Sequence, residues 1–123
     1  MKKTKMLKKN YEFRKVLTKG KYFSGKYIEC FILNNNTKCN YLGLAISTKV
    51  GKAIMRNHLK RLIRENYKNV EMSIKDGYSI VFLFKKKADS KQANFYNIRE
   101  DINTIINKSQ LNRKNIWKNF LLV

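Results

Sequence analysis

Residues 55–64 read Met-Arg-Asn-His-Leu-Lys-Arg-Leu-Ile-Arg, and their types and spacing suit one chemistry, the gripping of a polyanion. On an α-helix Arg56, Lys60 and Arg64 stack at i, i+4 and i+8, with Asn57 and Arg61 beside them. Met55, Leu59, Leu62 and Ile63 fall on the opposite side, and Val70 extends that apolar stripe. Like charges at i, i+4 destabilise an isolated helix by about 0.2–0.5 kcal/mol per pair. A helix that gathers them needs an external anion to offset the repulsion, and a nucleic-acid backbone is the anion of matching charge density. Arginines at 56, 61 and 64 can fork onto phosphate oxygens, where Lys60 acts as a point charge. Glu65 is the one acid in the immediate neighbourhood.

Aromatic residues offer a second kind of contact. Phe13, Tyr27 and Phe31 are either core or a platform for unpaired bases, where each stacked base is worth about 1–3 kcal/mol. Phe13 and Phe31 line one groove if the first helix crosses the sheet. Bond-making chemistry finds no support. The acids Glu12, Glu29, Glu65, Glu71, Asp76, Asp89, Glu100 and Asp101 are scattered over the elements. His58, the single histidine, stands among cations that disfavour its charged form, so it reads as a hydrogen-bonding or stacking residue and not a base. No phosphate-cradling glycine loop occurs. Cys30 and Cys39 lack metal-pair spacing and read as free thiols.

The elements that must position these residues can be read in turn. Residues 1–9 form a basic arm. Asn10 caps a short helix over residues 11–18 that Gly20 closes, with Phe13, Val16 and Leu17 on one face. Period-two alternation over residues 26–33 is a strand: Tyr27, Glu29, Phe31 and Leu33 point one way, Ile28, Cys30 and Ile32 the other. Residues 34–40 make a hairpin-type loop. Residues 41–48 form a strand with a bulky face (Leu42, Leu44, Ile46) and a small face (Gly43, Ala45, Ser47), which lets a helix or ligand approach closely. A bend at residues 49–52 leads into the long helix, residues 53–70. After the Asp76-Gly77 turn, residues 78–84 are a strand buried on both faces. A basic loop over residues 85–89 precedes a helix over residues 90–107, whose stripe is Phe95, Ile98, Ile102, Ile105 and Ile106. Ile116, Trp117, Phe120 and Leu121 suit a short docking helix within a C-terminal extension, residues 108–123.

The order helix, strands, helix, strand, helix predicts an α+β fold, a two-layer α/β sandwich in a single domain over residues 1–123, and the basic helix makes that domain a nucleic-acid binder. Twenty-eight cations against 8 anions give a net charge of +20, which draws a polyanion in rapidly. A hydrophobic content of 43% is enough for a packed core, so the chain is not a solvated tail. No apolar run approaches the ~20 residues of a membrane span, and no apolar segment follows the basic N-terminus as in a signal peptide. A cytoplasmic protein without membrane contact is the expectation.

The segment from Leu44 through Glu65, Leu-Ala-Ile-Ser-Thr-Lys-Val-Gly-Lys-Ala-Ile-Met-Arg-Asn-His-Leu-Lys-Arg-Leu-Ile-Arg-Glu, resembles the protein component of bacterial ribonuclease P. That family continues an Arg-Asn-Arg helix as Lys-Arg-x-x-Arg, after a strand ending Ser-x-Lys-x-Gly. Here the pattern stands as Ser47, Lys49, Gly51, Arg56, Asn57, Lys60, Arg61 and Arg64. The opening Leu-Lys-Lys-Asn-Tyr-Glu-Phe-Arg-Lys-Val at residues 7–16, followed by Gly20, is similar to the family's first helix. Two departures stand out: His58 replaces the second arginine of Arg-Asn-Arg, and Leu17 occupies a place that is often aromatic.

The resemblance implies a small mixed sheet, ribosomal-protein-like, with a left-handed βαβ crossover, whereas ordinary handedness would be right-handed. It implies that a catalytic RNA, with Mg²⁺, removes the 5′ leader of precursor tRNA while the protein binds and orients. The chain alone then binds no cofactor and is inactive, one protein serving one RNA. Ser47, Lys49, Lys52, Arg56, Asn57, His58, Lys60, Arg61 and Arg64 would face RNA, and Phe13, Leu17, Tyr27 and Phe31 would line the leader groove. The alternative from another class is a small structural RNA-binding protein of the ribosome with no processing role, and a more distant one is a DNA reader.

Overall fold

The computed structural model describes Met1 and residues 3–112. Its elements in chain order are β1 (Thr4–Met6), α1 (Asn10–Lys19), β2 (Lys21–Ser24), β3 (Ile28–Asn34), β4 (Asn40–Ala45), α2 (Ala53–Val70), β5 (Tyr78–Phe84) and α3 (Phe95–Ser109). The five strands form one mixed sheet in the order β1-β4-β5-β3-β2. β4 runs parallel to β1 and β5, while β3 is antiparallel to β5 and β2.

Strand alternation sends two sets of side chains to the two faces of this sheet. Ile28, Cys30 and Ile32 of β3, Leu42 of β4, and Ile80 and Phe82 of β5 pack against Leu59, Ile63 and Tyr67 of α2 and Ile98, Ile102 and Ile105 of α3. This is the main core. The other face carries α1 on a smaller cluster centred on Leu7, Val16 and Val81. β5 is buried on both faces, as its nearly continuous apolar run predicts.

The β4–α2–β5 connection is left-handed, as the resemblance implies. Leu42 faces α2, and its carbonyl accepts the Leu7 N–H at 2.8 Å from the β1 side. For an L-residue that geometry fixes the hand. Seen from the α2 face with β4 running upward, β1 lies to the right and β5 to the left. The chain therefore returns through α2 against the usual right-handed preference.

Several expectations need correction. The N-terminal residues are not a free arm: β1 is an edge strand, Leu7 is buried, and the Thr4 and Tyr67 hydroxyls meet at 2.8 Å. Thr4 and Met6 turn inward while Lys5 turns out, an alternation hidden by the surrounding lysines. Asn10 is the first residue of α1 and not its cap. Lys9 takes the cap position, and its N–H donates to the Glu12 carboxylate at 3.1 Å. Sequence reading missed β2, whose four residues lie on a half-exposed edge. Residues 90–92 form a separate 3₁₀ turn, and α3 starts after Asn94, whose side chain accepts the Asn97 N–H at 2.9 Å. The apolar positions 116, 117, 120 and 121 lie outside the described residues.

Candidate nucleic-acid interface

α2 buries Leu59, Ile63, Asn66 and Tyr67, with Met55, Leu62 and Val70 packed at its margins. At about 100° per residue, Arg56 lies next to Ile63 in projection, so the cation row begins at the border of the buried stripe and not opposite it. Arg56, Lys60 and Arg64 are half-buried along that border, while Asn57, His58 and Arg61 are exposed beyond it. Their aliphatic stems cover apolar surface and their heads reach solvent. Among the described residues no carboxylate lies within ion-pair distance of Arg56, Lys60, Arg61 or Arg64. Arg56 Nη1 donates to the Gly51 carbonyl at 2.7 Å, which ties the row to the preceding loop.

That loop is organised by Ser47. Its hydroxyl accepts the Lys49 N–H at 3.2 Å and its carbonyl accepts the Val50 N–H at 3.0 Å. The turn holds Lys49 and Lys52 exposed at the start of α2, where the unpaired N–H groups of the helix add positive potential. From Ser47 to Arg64 the chain carries six cations and no acid.

On the opposite sheet face, α1 presses Phe13 onto β4. A Cβ on Gly43 would stand 2.6 Å from Phe13 Cε1, so the small face anticipated for β4 is what admits the helix. Phe13, Leu17 and Phe31 are partly exposed around the buried Val16 and Val81, together with Ala45 and Leu83. Beyond them the same face opens into a cleft of about 410 Å³ lined by Glu29, Ala45, Ser47, Leu83, Lys85 and Lys87. Ser47 thus belongs both to the cleft and to the loop that launches the cation row. Apolar floor and basic rim are continuous.

Tyr27 does not join this groove. It is 7% exposed within the main core, its hydroxyl 3.4 Å from Asn97 Nδ2 of α3. It precedes β3, so the alternation that places Phe31 does not govern it. Conversely, Leu83, Ala45 and the lysines after β5 were missed as cleft residues. The signal for Leu83 is its parity with Val81 along β5, masked because that strand is apolar on both faces. Tyr22 was also missed: its ring lies 5.2 Å from that of Phe31, and its hydroxyl donates to Glu29 Oε2 at 2.6 Å.

Burial pushes the Cys30 thiol well up, which keeps it protonated and unreactive. Among the described residues no three His, Cys, Asp or Glu side chains gather as a metal site. None of their helices is long and apolar enough to cross a membrane.

The fold and this surface define a class: a basic α+β sandwich with a cationic helix that borders an apolar cleft rimmed by lysines. The ribonuclease P family model matches residues 1–110. The ribonuclease P protein component of Clostridioides difficile is 42% identical over 109 residues, which cover 88% of this chain and 94% of that protein. That of Natranaerobius thermophilus is 34% identical over 110 residues, 89% of this chain and 94% of the relative. The solved RNase P protein of Staphylococcus aureus superposes with a TM-score of 0.76 at 25% identity, covering 86% of this chain and 95% of its own. That of Thermotoga maritima gives 0.73 at 28% identity, covering 82% and 94%. The chain belongs to the ribonuclease P protein family.

Proposed function

We propose that this chain serves tRNA 5′ maturation by binding and positioning, without making or breaking bonds itself. The cation row of α2, with Lys49 and Lys52, takes phosphates of the catalytic ribonuclease P RNA. The partly exposed faces of Phe13, Leu17 and Phe31, with the cleft beyond them on the same face of the sheet, take the single-stranded 5′ leader of precursor tRNA. The observation that carries this reading is the continuity through Ser47 of a cleft with an apolar floor, next to the partly exposed Phe13, Leu17 and Phe31, with an unpaired basic rim. Bases of an unpaired strand bury their faces on Phe13, Leu17 and Phe31, while its phosphates follow the lysines. Holding the leader and screening charge between two RNAs converts a loose encounter into an oriented one. The same reading pairs one protein with one RNA. In this reading Mg²⁺ works with the RNA, whose phosphates are hard oxygen ligands.

Phe31→Ala tests the cleft. In the holoenzyme it should weaken binding of leader-bearing precursor roughly five- to 150-fold, the equivalent of about 1–3 kcal/mol, and leave mature tRNA affinity unchanged. Equal losses on the two RNAs would remove the leader from the cleft.

A further inference from the structure

Glu29 is out of place on charge grounds. It lines a cleft walled by Lys85, Lys86 and Lys87, in a chain of net charge +20. A carboxylate there repels phosphate, so it does not help to hold an RNA backbone. Nor is it neutralised: among the described residues no cation stands within ion-pair distance of it. What a carboxylate favours is an N–H donor.

The side chains around it form a small platform. Tyr22 lies opposite Phe31 in the β2–β3 pairing, and Ser24 lies opposite Glu29, so all four share the cleft face. Tyr22 is 50% exposed, a large apolar surface left open on an edge strand. Its ring is held at both ends, against Phe31 at 5.2 Å and by its hydroxyl on Glu29 Oε2 at 2.6 Å. Oε2 therefore has a donor, and Oε1 has none among the described residues. The charge of Glu29 raises the pKa of the Tyr22 phenol through that hydrogen bond, keeping it a donor and the carboxylate oriented.

We propose that Tyr22 and Glu29 form a base-reading position on the β2 side of the cleft, selecting a leader nucleotide whose Watson–Crick edge presents adjacent N–H donors. The position rests on the leader reading above. Guanine fits it best, because N1–H and N2–H lie side by side and meet a carboxylate in parallel. Uracil fits it worst, because carbonyls flank its single N–H and face the carboxylate. Adenine and cytosine, with an amino group on that edge, fall between. Tyr22 supplies a stacking face common to every base, and Glu29 supplies the discrimination.

The test uses holoenzyme assembled from this chain and a bacterial ribonuclease P RNA. Precursor tRNA carries an all-uridine leader into which a single guanosine is walked position by position. At one leader position guanosine should bind roughly tenfold tighter than uridine. Glu29→Gln should bring that ratio to within about twofold without weakening the uridine leader, because it removes a repulsive charge and keeps the shape. Tyr22→Ala should lower affinity for all four bases at that position. Thermal melts of both variants that match the parent exclude misfolding as the cause. An unchanged guanosine-to-uridine ratio in Glu29→Gln, or equal losses on the two leaders, overturns the proposal. So does a parent holoenzyme blind to guanosine at every position while Phe31→Ala still weakens precursor binding, and in that case the leader cleft itself survives. If Phe31→Ala has no effect either, both readings fall.

Discussion

Asp101 and Tyr67 are buried side chains whose hydrogen bonds tie α3 to the start of β3 and α2 to β1 behind the sheet. Asp101, 5% exposed on α3, accepts the backbone N–H groups of Lys26, Tyr27 and Ile28 at 2.8, 2.6 and 3.0 Å. Three charge-assisted bonds close the ladder where β3 begins, and they align the strand that carries Glu29 and Phe31. A Cβ on Gly25 would stand 2.5 Å from Asp101 Cγ, so glycine leaves the carboxylate its place. Nothing in the sequence marks Asp101, since an aspartate between isoleucines on a helix reads equally as solvated surface. Tyr67 is fully buried on α2 with its hydroxyl on Thr4, and burial pushes its phenol up to about 12. In the unfolded chain tyrosine ionises near pH 10. The stabilisation is complete below pH 10 and is lost between about pH 10 and 12, because there the unfolded state releases the proton that the folded state retains. That loss amounts to about 2–3 kcal/mol over the window. Tyr67→Phe should therefore destabilise the protein by about 1 kcal/mol at pH 7, where a hydrogen bond is lost, and the gap should close above pH 10 and reverse as the pH approaches about 12, because only the parent loses the ~2–3 kcal/mol. Urea unfolding of both proteins across that range checks it, and a gap independent of pH would contradict the assignment.

At the scale of elements, legibility followed how unambiguous the periodicity was. The bounds of α2 and β5 were readable because one has a long 3.6-residue stripe and the other a short apolar run between turn residues. The β1 and β2 edges were not, because each is only three or four residues long and flanked by lysines, and gains its regular structure from pairing with β4 or β3. Of the candidate site, the cation row, Phe13, Leu17 and Phe31 were legible from spacing, and their meaning came from the resemblance. The misplacement of Tyr27 followed from extending the alternation of β3 past the end of the strand. The contact between α1 and β4 gives the element-scale prediction. In Gly43→Ala the new methyl meets the edge of the Phe13 ring and Leu7 Cδ1, and the ring must swing away from the cleft. The expected cost in stability is about 1–3 kcal/mol. Affinity for leader-bearing precursor should fall several-fold, while mature tRNA binding holds. A loss of stability with leader affinity intact would show that Phe13 is core alone.

Taken as a whole, the molecule divides its labour between the two faces of one sheet. The face under α2 and α3 holds most of the apolar side chains, including nearly all that are completely buried, and this lets the α1 face remain partly open. The left-handed return through α2 sets the basic helix at the end of β4, so that its loop borders the cleft on the other face. A net charge of +20 brings RNA to this surface at long range, and the short-range geometry sorts phosphate from base. The proposed division of labour leaves bond chemistry to the RNA partner, so activity is expected only with it. The decisive measurement is 5′ cleavage of precursor tRNA at low Mg²⁺ and near-physiological salt by a bacterial ribonuclease P RNA, with and without this chain. The expected result is that the chain restores cleavage at the mature 5′ end and does nothing without the RNA. Tight binding to the RNA with no stimulation of cleavage at any protein concentration would contradict the account.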